Sequence, residues 1–272
     1  MQRPPGSTLP RSMLLPAARI CTVALACYLL MPLLVIIPVS LTDRHVLSLP
    51  SETLSIRHYV ALFSSREWLH AALQSVVIGL VSATAATLLA FLAASAVWLN
   101  GGPLARAVSV LAITPMIMPS IVTALGLYKF YVLTGLIDTY LGVIITHTII
   151  ALPYPFVLCL AGLSGLPPAL FLTARSLGAG PVSALMRVIL PSMWVAALSG
   201  WIFAFLHSWD ELLITMFISS RTVHTLPRMM WDGLNENFDP VIAAVSVLLL
   251  LLSTLLLALR AWVGKPAAAG DR

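Results

Sequence analysis

Six stretches of this sequence are each long and apolar enough to leave water altogether. They run approximately from Ile20 to Leu41, Ala71 to Leu99, Val108 to Leu133, Thr139 to Leu163, Ile189 to Ser219 and Val241 to Val263. A hydrocarbon core is crossed by about 20 mostly apolar residues in helical form, so each stretch reads as one membrane span. Composition agrees: 60% of the 272 residues are hydrophobic and only 9% are charged, against roughly a quarter charged in a soluble domain. Lipid offers no water to the backbone, and long aliphatic runs without strand-like alternation satisfy their own polar groups as helices, not as a barrel. The expected fold class is an all-α membrane protein of six transmembrane helices. The expected organisation is a tail over 1–19, one membrane domain over 20–263 and a second tail over 264–272. Six helices leave no room for a folded soluble domain.

The first run is too long for the apolar core of a signal peptide, about 7 to 15 residues, and no small-x-small site closes it. Leu25, Ala26 and Cys27 resemble a lipoprotein cleavage box, but Cys27 sits inside the run. The run therefore reads as a retained first helix. Cys21, Cys27 and Cys159 are odd in number and lie within spans, which suggests buried apolar contacts and neither a disulfide framework nor a metal cluster.

Basic residues near span ends set orientation. With both termini cytoplasmic, Asn100 to Ala107 and Ser164 to Val188 face inside. The inner set is then Arg3, Arg11, Arg19, Arg106, Arg175, Arg187, Arg260, Lys265 and Arg272; the outer set is Arg44, Arg57, Arg66, Lys129, Arg221 and Arg228, and of the acidic residues only Asp271 lies inside. Nine against six favours this orientation. The net charge of +5 is mostly this topology signal and calls for no nucleic acid.

Ser82, Ala86, Ala90 and Ala94 recur every four residues in the second span. Small residues at that spacing let membrane helices approach closely, either within the bundle or against a partner subunit. Thr114 to Ser120 (TPMIMPS) and Leu152 to Pro155 (LPYP) put prolines inside the third and fourth spans, where each removes a backbone donor and bends its helix. Outside the spans, SETLS followed by HYVALF reads as a cap and a short helix, and LPRMMWDGL as another. There is no G-x-x-x-x-G-K-[ST] phosphate loop, no H-E-x-x-H and no metal-ligand spacing of Cys and His. No residue stands out as catalytic, and energy from ATP would have to arrive through another polypeptide.

Between the fourth and fifth spans lies TARSLGAGPVSALMRVILPSM, Thr173 to Met193. Pro167 and Pro168 can open a helix; Leu170, Thr173, Ala174 and Leu177 recur at helical spacing; Gly178 stands where a helix ends in the left-handed conformation. A second helix can start at Pro181, with Val182, Leu185, Met186 and Ile189 on one face and Ser183 and Arg187 on another. Residues 167–190 thus form a helix, a glycine turn and a helix. Such a hairpin fits a groove of another protein or lies on lipid headgroups.

That run resembles the E-A-A-x(3)-G-x(9)-I-x-L-P loop of permease subunits in bacterial binding-protein-dependent ABC importers. Ala174 matches the second alanine, Gly178 the glycine, Val188 the isoleucine conservatively, and Leu190 and Pro191 the closing pair; Leu172 replaces the glutamate and Thr173 the first alanine. The stretch SWDELLITMFIS (Ser208 to Ser219), with TLP at Thr225 and MWDGL at Met230, is similar to the second permease subunit of spermidine/putrescine importers and their relatives. The resemblance implies a type I permease fold in a bacterial inner membrane and a loop that docks on a cytoplasmic ABC ATPase dimer. Leu172, Thr173, Ala174, Arg175, Gly178, Arg187, Leu190 and Pro191 would form that loop. It also implies a second homologous permease subunit and a periplasmic solute-binding protein, while ATP and Mg are used by the ATPase and no cofactor is held by this chain. Leu172 in place of glutamate puts one polar contact with the ATPase in doubt. Two rivals stand beside this reading: an ion-gradient-driven carrier, for which no symmetry relates the first and last three spans, and a membrane scaffold without transport.

Asp210 and Glu211 are the only adjacent acidic pair in any expected span. Carboxylates inside a membrane are costly and usually face water or a partner. Three readings fit: the fifth helix ends there in headgroup water, one acid pairs with Lys129 or His207, or the pair draws a cationic solute along its path. Neighbouring residues on a helix diverge by about 100°, so only one acid should face a path, and Asp210 is the expected one.

Overall fold

A computed structural model describes residues 11–236 and 239–263. The helices in chain order are α1 (Arg11–Ser40), α2 (Arg57–Ser64), α3 (Arg66–Asn100), α4 (Gly102–Ile117), α5 (Ser120–Thr134), α6 (Tyr140–Ala151), α7 (Pro153–Ser164), α8 (Ala169–Ser176) and α9 (Pro181–Ala184). A π-helical turn, Leu185–Ile189, then leads into α10 (Leu190–Ser192), followed by α11 (Trp194–Trp209), α12 (Leu213–Ile218), α13 (Leu226–Glu236) and α14 (Val241–Val263). No strand occurs among the described residues. The short helices expected at HYVALF and LPRMMWDGL are α2 and α13. Helix α1 begins at Arg11, inside the stretch expected as a tail; residues 1–10 and the second tail, 264–272, lie outside the described residues.

Three spans are single helices: the apolar part of α1, α3 and α14. Three further candidate spans are bent helix pairs: bends were expected from the prolines of the third and fourth spans, and none was expected in the fifth. Helices α4 and α5 meet at 106°, α6 and α7 at 43°, and the Pro181–Ser192 segment meets α11 at 86°. Prolines explain where each bend falls. Met118 is extended (ψ 133°) before Pro119, because a residue preceding proline is pushed out of the helical region. Pro153, at the start of α7, has no N–H to give back to α6. Pro191 likewise cannot donate; just before it the ladder slips to a π turn, with Leu190 N–H reaching Leu185 O, and Ser192 Oγ donates to Val188 O at 2.7 Å. The chain then turns at Met193 (φ −125°, ψ 20°).

The expected fifth span also ends early. Helix α11 stops at Trp209, residues 210–212 are unwound, and α12 resumes at Leu213.

The described residues sort into two compact units, 11–62 with 239–250, and 63–236 with 251–263. In the first, Ser40 Oγ and Tyr59 OH share a hydrogen bond of 2.8 Å, Asp43 accepts from Ser51 N–H at 3.0 Å and Arg57 donates to Asp43 O at 3.1 Å, which ties the 41–56 connection to α2. In the second, α3 runs beside α6, α7 and α11. The small-residue stripe is its inner face: Ser82, Ala86, Ala90 and Ala94 are fully buried, and Ser82 Oγ donates to Ile144 O at 3.2 Å. Close approach also governs α7 and α11, where a Cβ on Gly200 would sit 2.7 Å from Pro155 Cα. Arg260, late in α14, donates to Ser199 Oγ at 3.3 Å and lies 5.8 Å above the Phe203 ring, so its charge is held against α11.

Candidate functional site

The segment between α7 and α11 folds as the expected hairpin. Helix α8 ends with Gly178 at φ +90°, Gly178 N–H bonding to Arg175 O at 3.0 Å and Ala179 N–H to Ala174 O at 3.1 Å. These are the two bonds that close a helix ending in a left-handed glycine. Arg175 reinforces the turn by donating to Ala179 O at 2.7 Å, and α9 starts at Pro181, where a missing N–H costs nothing. Inward, Leu170, Phe171, Leu185 and Val188 lie against a buried cluster that includes Phe91, Phe156, Leu163 and Ile189. Outward, Leu172 (61% exposed), Leu177 (84%), Val182 (67%) and Met186 (40%) are bare.

The structure places the motif residues in different surroundings. Ala174 is buried under the turn, Thr173, Arg175, Gly178, Arg187 and Pro191 are exposed, and Leu190 is half-buried. Along α9 and the π turn that follows it the expected face divides: Leu185 and Ile189 turn inward while Val182 and Met186 project out.

A second feature forms where two breaks lie side by side. Pro115, Met116, Met118, Ser120 and Thr123 from the α4–α5 bend face Ile150, Tyr154, His207, Glu211 and Ile214 across a cleft of about 80 Å³. Of the acidic pair it is Glu211, not Asp210, that lines this cleft. The expectation for Asp210 assumed a continuous helix. With α11 ended, Asp210 is exposed at the helix C-terminus, whereas Glu211 is 9% exposed and its Oε1 accepts from Ile214 N–H at 2.8 Å, closing the first turn of α12. Among the described residues neither acid forms an ion pair within 4 Å, with Lys129, His207 or any other group. The rings of Tyr154 and His207 stand 4.8 Å apart beside Glu211.

A third cluster went unread in the sequence. Asp138, in the α5–α6 turn at φ +57°, accepts at Oδ1 from Ser219 Oγ (2.8 Å), Ser220 N–H (2.9 Å), Thr222 N–H (3.0 Å) and Arg221 N–H (3.1 Å). Desolvation pushes its carboxyl up, but the bonds from Ser220, Ser219, Arg221 and Thr222 together outweigh it and hold the group well below the usual carboxylate range. Gln74 bonds the same connection, accepting from His224 N–H at 2.7 Å and donating to Thr222 O at 3.3 Å.

Residues 86–266 match the family described as binding-protein-dependent transport system inner membrane component. The chain belongs to that family. It is thus an inner-membrane, multi-pass permease subunit of ABC importers, in a family of transport proteins. Among curated proteins it is similar to the spermidine/putrescine transport system permease protein PotC of Haemophilus influenzae, 29% identical over 85% of this chain and 90% of the relative. It is also 28% identical to the putrescine transport system permease protein PotI of Escherichia coli, over half of each chain. A crystal structure of a bacterial ABC transporter that imports the acidic polysaccharide alginate contains a chain of the same fold, with a TM-score of 0.71 at 13% identity, covering 95% of this chain and 99% of that one.

Proposed function

We propose that this permease forms part of the path for a small cationic solute, a polyamine such as spermidine or putrescine or a related amine. In this reading the hairpin 167–190 is the point at which a separate, cytoplasmic ABC ATPase dimer takes hold, with both termini on the same side. A second homologous permease completes the path, a periplasmic solute-binding protein delivers the solute, and membrane lipids surround the outward apolar faces. The observation that carries the reading is a continuous connection: the hairpin joins α11 through the bend at Met193, and α11 ends at the break that carries Glu211. Exposed Leu172, Leu177, Val182 and Met186 supply an apolar docking tip, with Leu172 offering contact area where the family motif offers charge.

For the solute, a water needs roughly 10–15 Å³ of such volume, so the cleft has room for several waters or one ammonium head. Glu211 supplies a carboxylate, and the Tyr154 ring supplies a face that attracts a cation. Admitting a whole solute requires the helix halves to move apart, the rigid-body rearrangement that ATP binding at the ATPase would drive through the hairpin.

The test is uptake by the complex purified with this chain and reconstituted in vesicles, across polyamines, amino acids and inorganic ions. ATP-dependent uptake of a polyamine, lost when the co-purifying ATPase is removed, is expected. Uptake by the chain alone driven by an ion gradient would establish a carrier instead; partners without uptake would establish a scaffold; an anionic solute would remove Glu211 from the path.

A further inference from the structure

Buried in the same helical unit, His147 of α6 is 1% exposed, and both ring nitrogens are engaged. Nδ1 lies 2.8 Å from Ser208 Oγ and Nε2 lies 2.9 Å from Thr215 Oγ1. Ser208 is in the last turn of α11 and Thr215 in the first turn of α12. One imidazole therefore bridges the two sides of the unwound segment 210–212. Both hydroxyls are themselves buried, at 4% and 0% exposure. A neutral imidazole donates at one nitrogen and accepts at the other, and a hydroxyl can do either, so one tautomer satisfies all three groups.

The bridge reaches Glu211. Thr215 Oγ1 is also 3.4 Å from Glu211 O, and Ile214 N–H, beside it, holds Glu211 Oε1 at 2.8 Å. Helix α12 has six residues, too few to be stable by its own hydrogen bonds. Its start, and with it the Glu211 carboxylate, takes its position from what α6 provides. A histidine serving only to fill the core would leave the two helices free to pivot at the break; here its two partners stand one on each side.

We propose that His147 is a positioning residue: by bracing Ser208 and Thr215 across the break between α11 and α12, it sets where Glu211 stands in the cleft. The proposal rests on the cleft being the solute path. The test compares His147→Phe, an apolar ring of similar size, with His147→Gln, whose amide keeps a donor and an acceptor. The assay is ATP-driven uptake of radiolabelled spermidine by the assembled complex in vesicles. His147→Phe should raise KM about tenfold, the scale of two lost hydrogen bonds, with turnover per assembled complex little changed. His147→Gln should recover most of that loss. A merely structural histidine would lower the amount of assembled complex and leave KM unchanged, and that result overturns the proposal.

If the wild-type complex takes up no spermidine, the solute reading fails by itself, and a solute-free readout decides this one. In a chain with Cys21, Cys27 and Cys159 replaced by alanine, Glu211→Cys introduces a thiol at the break. Its alkylation rate by a membrane-impermeant maleimide should change about fivefold or more on adding His147→Phe, and little on adding His147→Gln. Equal rates in all three chains overturn the proposal.

Discussion

Replacing Gly178 by alanine isolates one physical term. At φ +90° the residue lies where side chains are rarely found, yet no atom stands within 4 Å of where its Cβ would be. Contact is therefore unaffected and the whole penalty is conformational, about 1–2 kcal/mol for an L-residue in the left-handed region. That is a factor of about 5–30 in the ratio of native hairpin to opened forms. Gly178→Pro adds a second penalty: the ring fixes φ near −65° and deletes the N–H that bonds to Arg175 O at 3.0 Å, for about 3 kcal/mol or more. Two residues on, Gly180 supplies the control. It sits at φ −63°, also with open space around it, so alanine there should be neutral or stabilise by about 0.4–1 kcal/mol. The assay is co-elution of the ATPase with the detergent-solubilised chain, followed by ATP-dependent uptake. The expected order is wild type and Gly180→Ala together, then Gly178→Ala, then Gly178→Pro, with equal amounts of chain in the membrane because the turn lies outside the spans. Equal ATPase recovery from Gly178→Pro and Gly180→Ala would refute the reasoning.

Glu211→Gln should weaken cation uptake more than Asp210→Asn, with assembly intact, because only Glu211 lines the cleft; equal KM values for both would detach the acids from the path. Gly200→Ala should lower the melting temperature in detergent, since its Cβ would fall 2.7 Å from Pro155 Cα and overfilling a tight contact costs about 1–3 kcal/mol; an unchanged melting temperature would mean that α7 and α11 can separate freely. Asp138→Asn should destabilise the chain modestly, by about 1 kcal/mol, because a neutral acceptor replaces the charge-assisted bonds to Oδ1 while the exposed donors stay open to water. Because the folded Asp138 titrates below the unfolded value of about 3.9, its contribution is fully present above that pH and lost as pH falls through the folded value. This group should therefore leave thermal melting flat between about pH 5 and 8 and weaken it only in stronger acid; a wild-type loss between pH 7 and 5 that Asp138→Asn abolishes would contradict the assignment.

What could be read from the sequence follows the range of the interactions involved. Helices α1, α3 and α14 are legible because an uninterrupted apolar run is a local property, and the Gly178 turn because glycine and Pro181 act on their own neighbours. Pro119, Pro153 and Pro191 announce where the spans bend but not by how much, since proline deletes a donor at each site and the resulting angles run from 43° to 106°. The break after Trp209 carries no proline or glycine at all. Beside the local bond from Ile214 N–H to Glu211, its two sides meet a partner far along the chain: Ser208 and Thr215 bond a histidine 61 and 68 residues away. Asp138 likewise gathers donors 81 to 84 residues distant. The choice of Asp210 over Glu211 was drawn on a helical angle, and α11 does not continue through that point.

The geometry of α11 bears on how a pull on the hairpin could reach the cleft. This helix has 16 residues and no proline, so it spans about 24 Å and has no built-in place to yield. One of its close contacts is Gly200 against Pro155, where an added Cβ would fall 2.7 Å from Pro155 Cα, about 10 Å along from the bend at Met193 and about 15 Å from Asp210. A rod held there and pushed at one end turns about that contact. On the coupling mechanism proposed above, a shift of about 2 Å at Met193 becomes about 3 Å in the opposite direction at Asp210, by the ratio of the two arms. The His147 bridge then decides what happens to Glu211, because Ser208 travels with α11 while His147 stays with α6. If the Ser208 bond parts and the Thr215 bond holds, α12 and Glu211 stay with α6 and the break absorbs the turn; if the Thr215 bond parts as well, Glu211 is free to follow α11. An unwound 210–212 segment bridged by two hydrogen bonds is thus the one place along this connection where rotation of a stiff helix can become a change at the cleft.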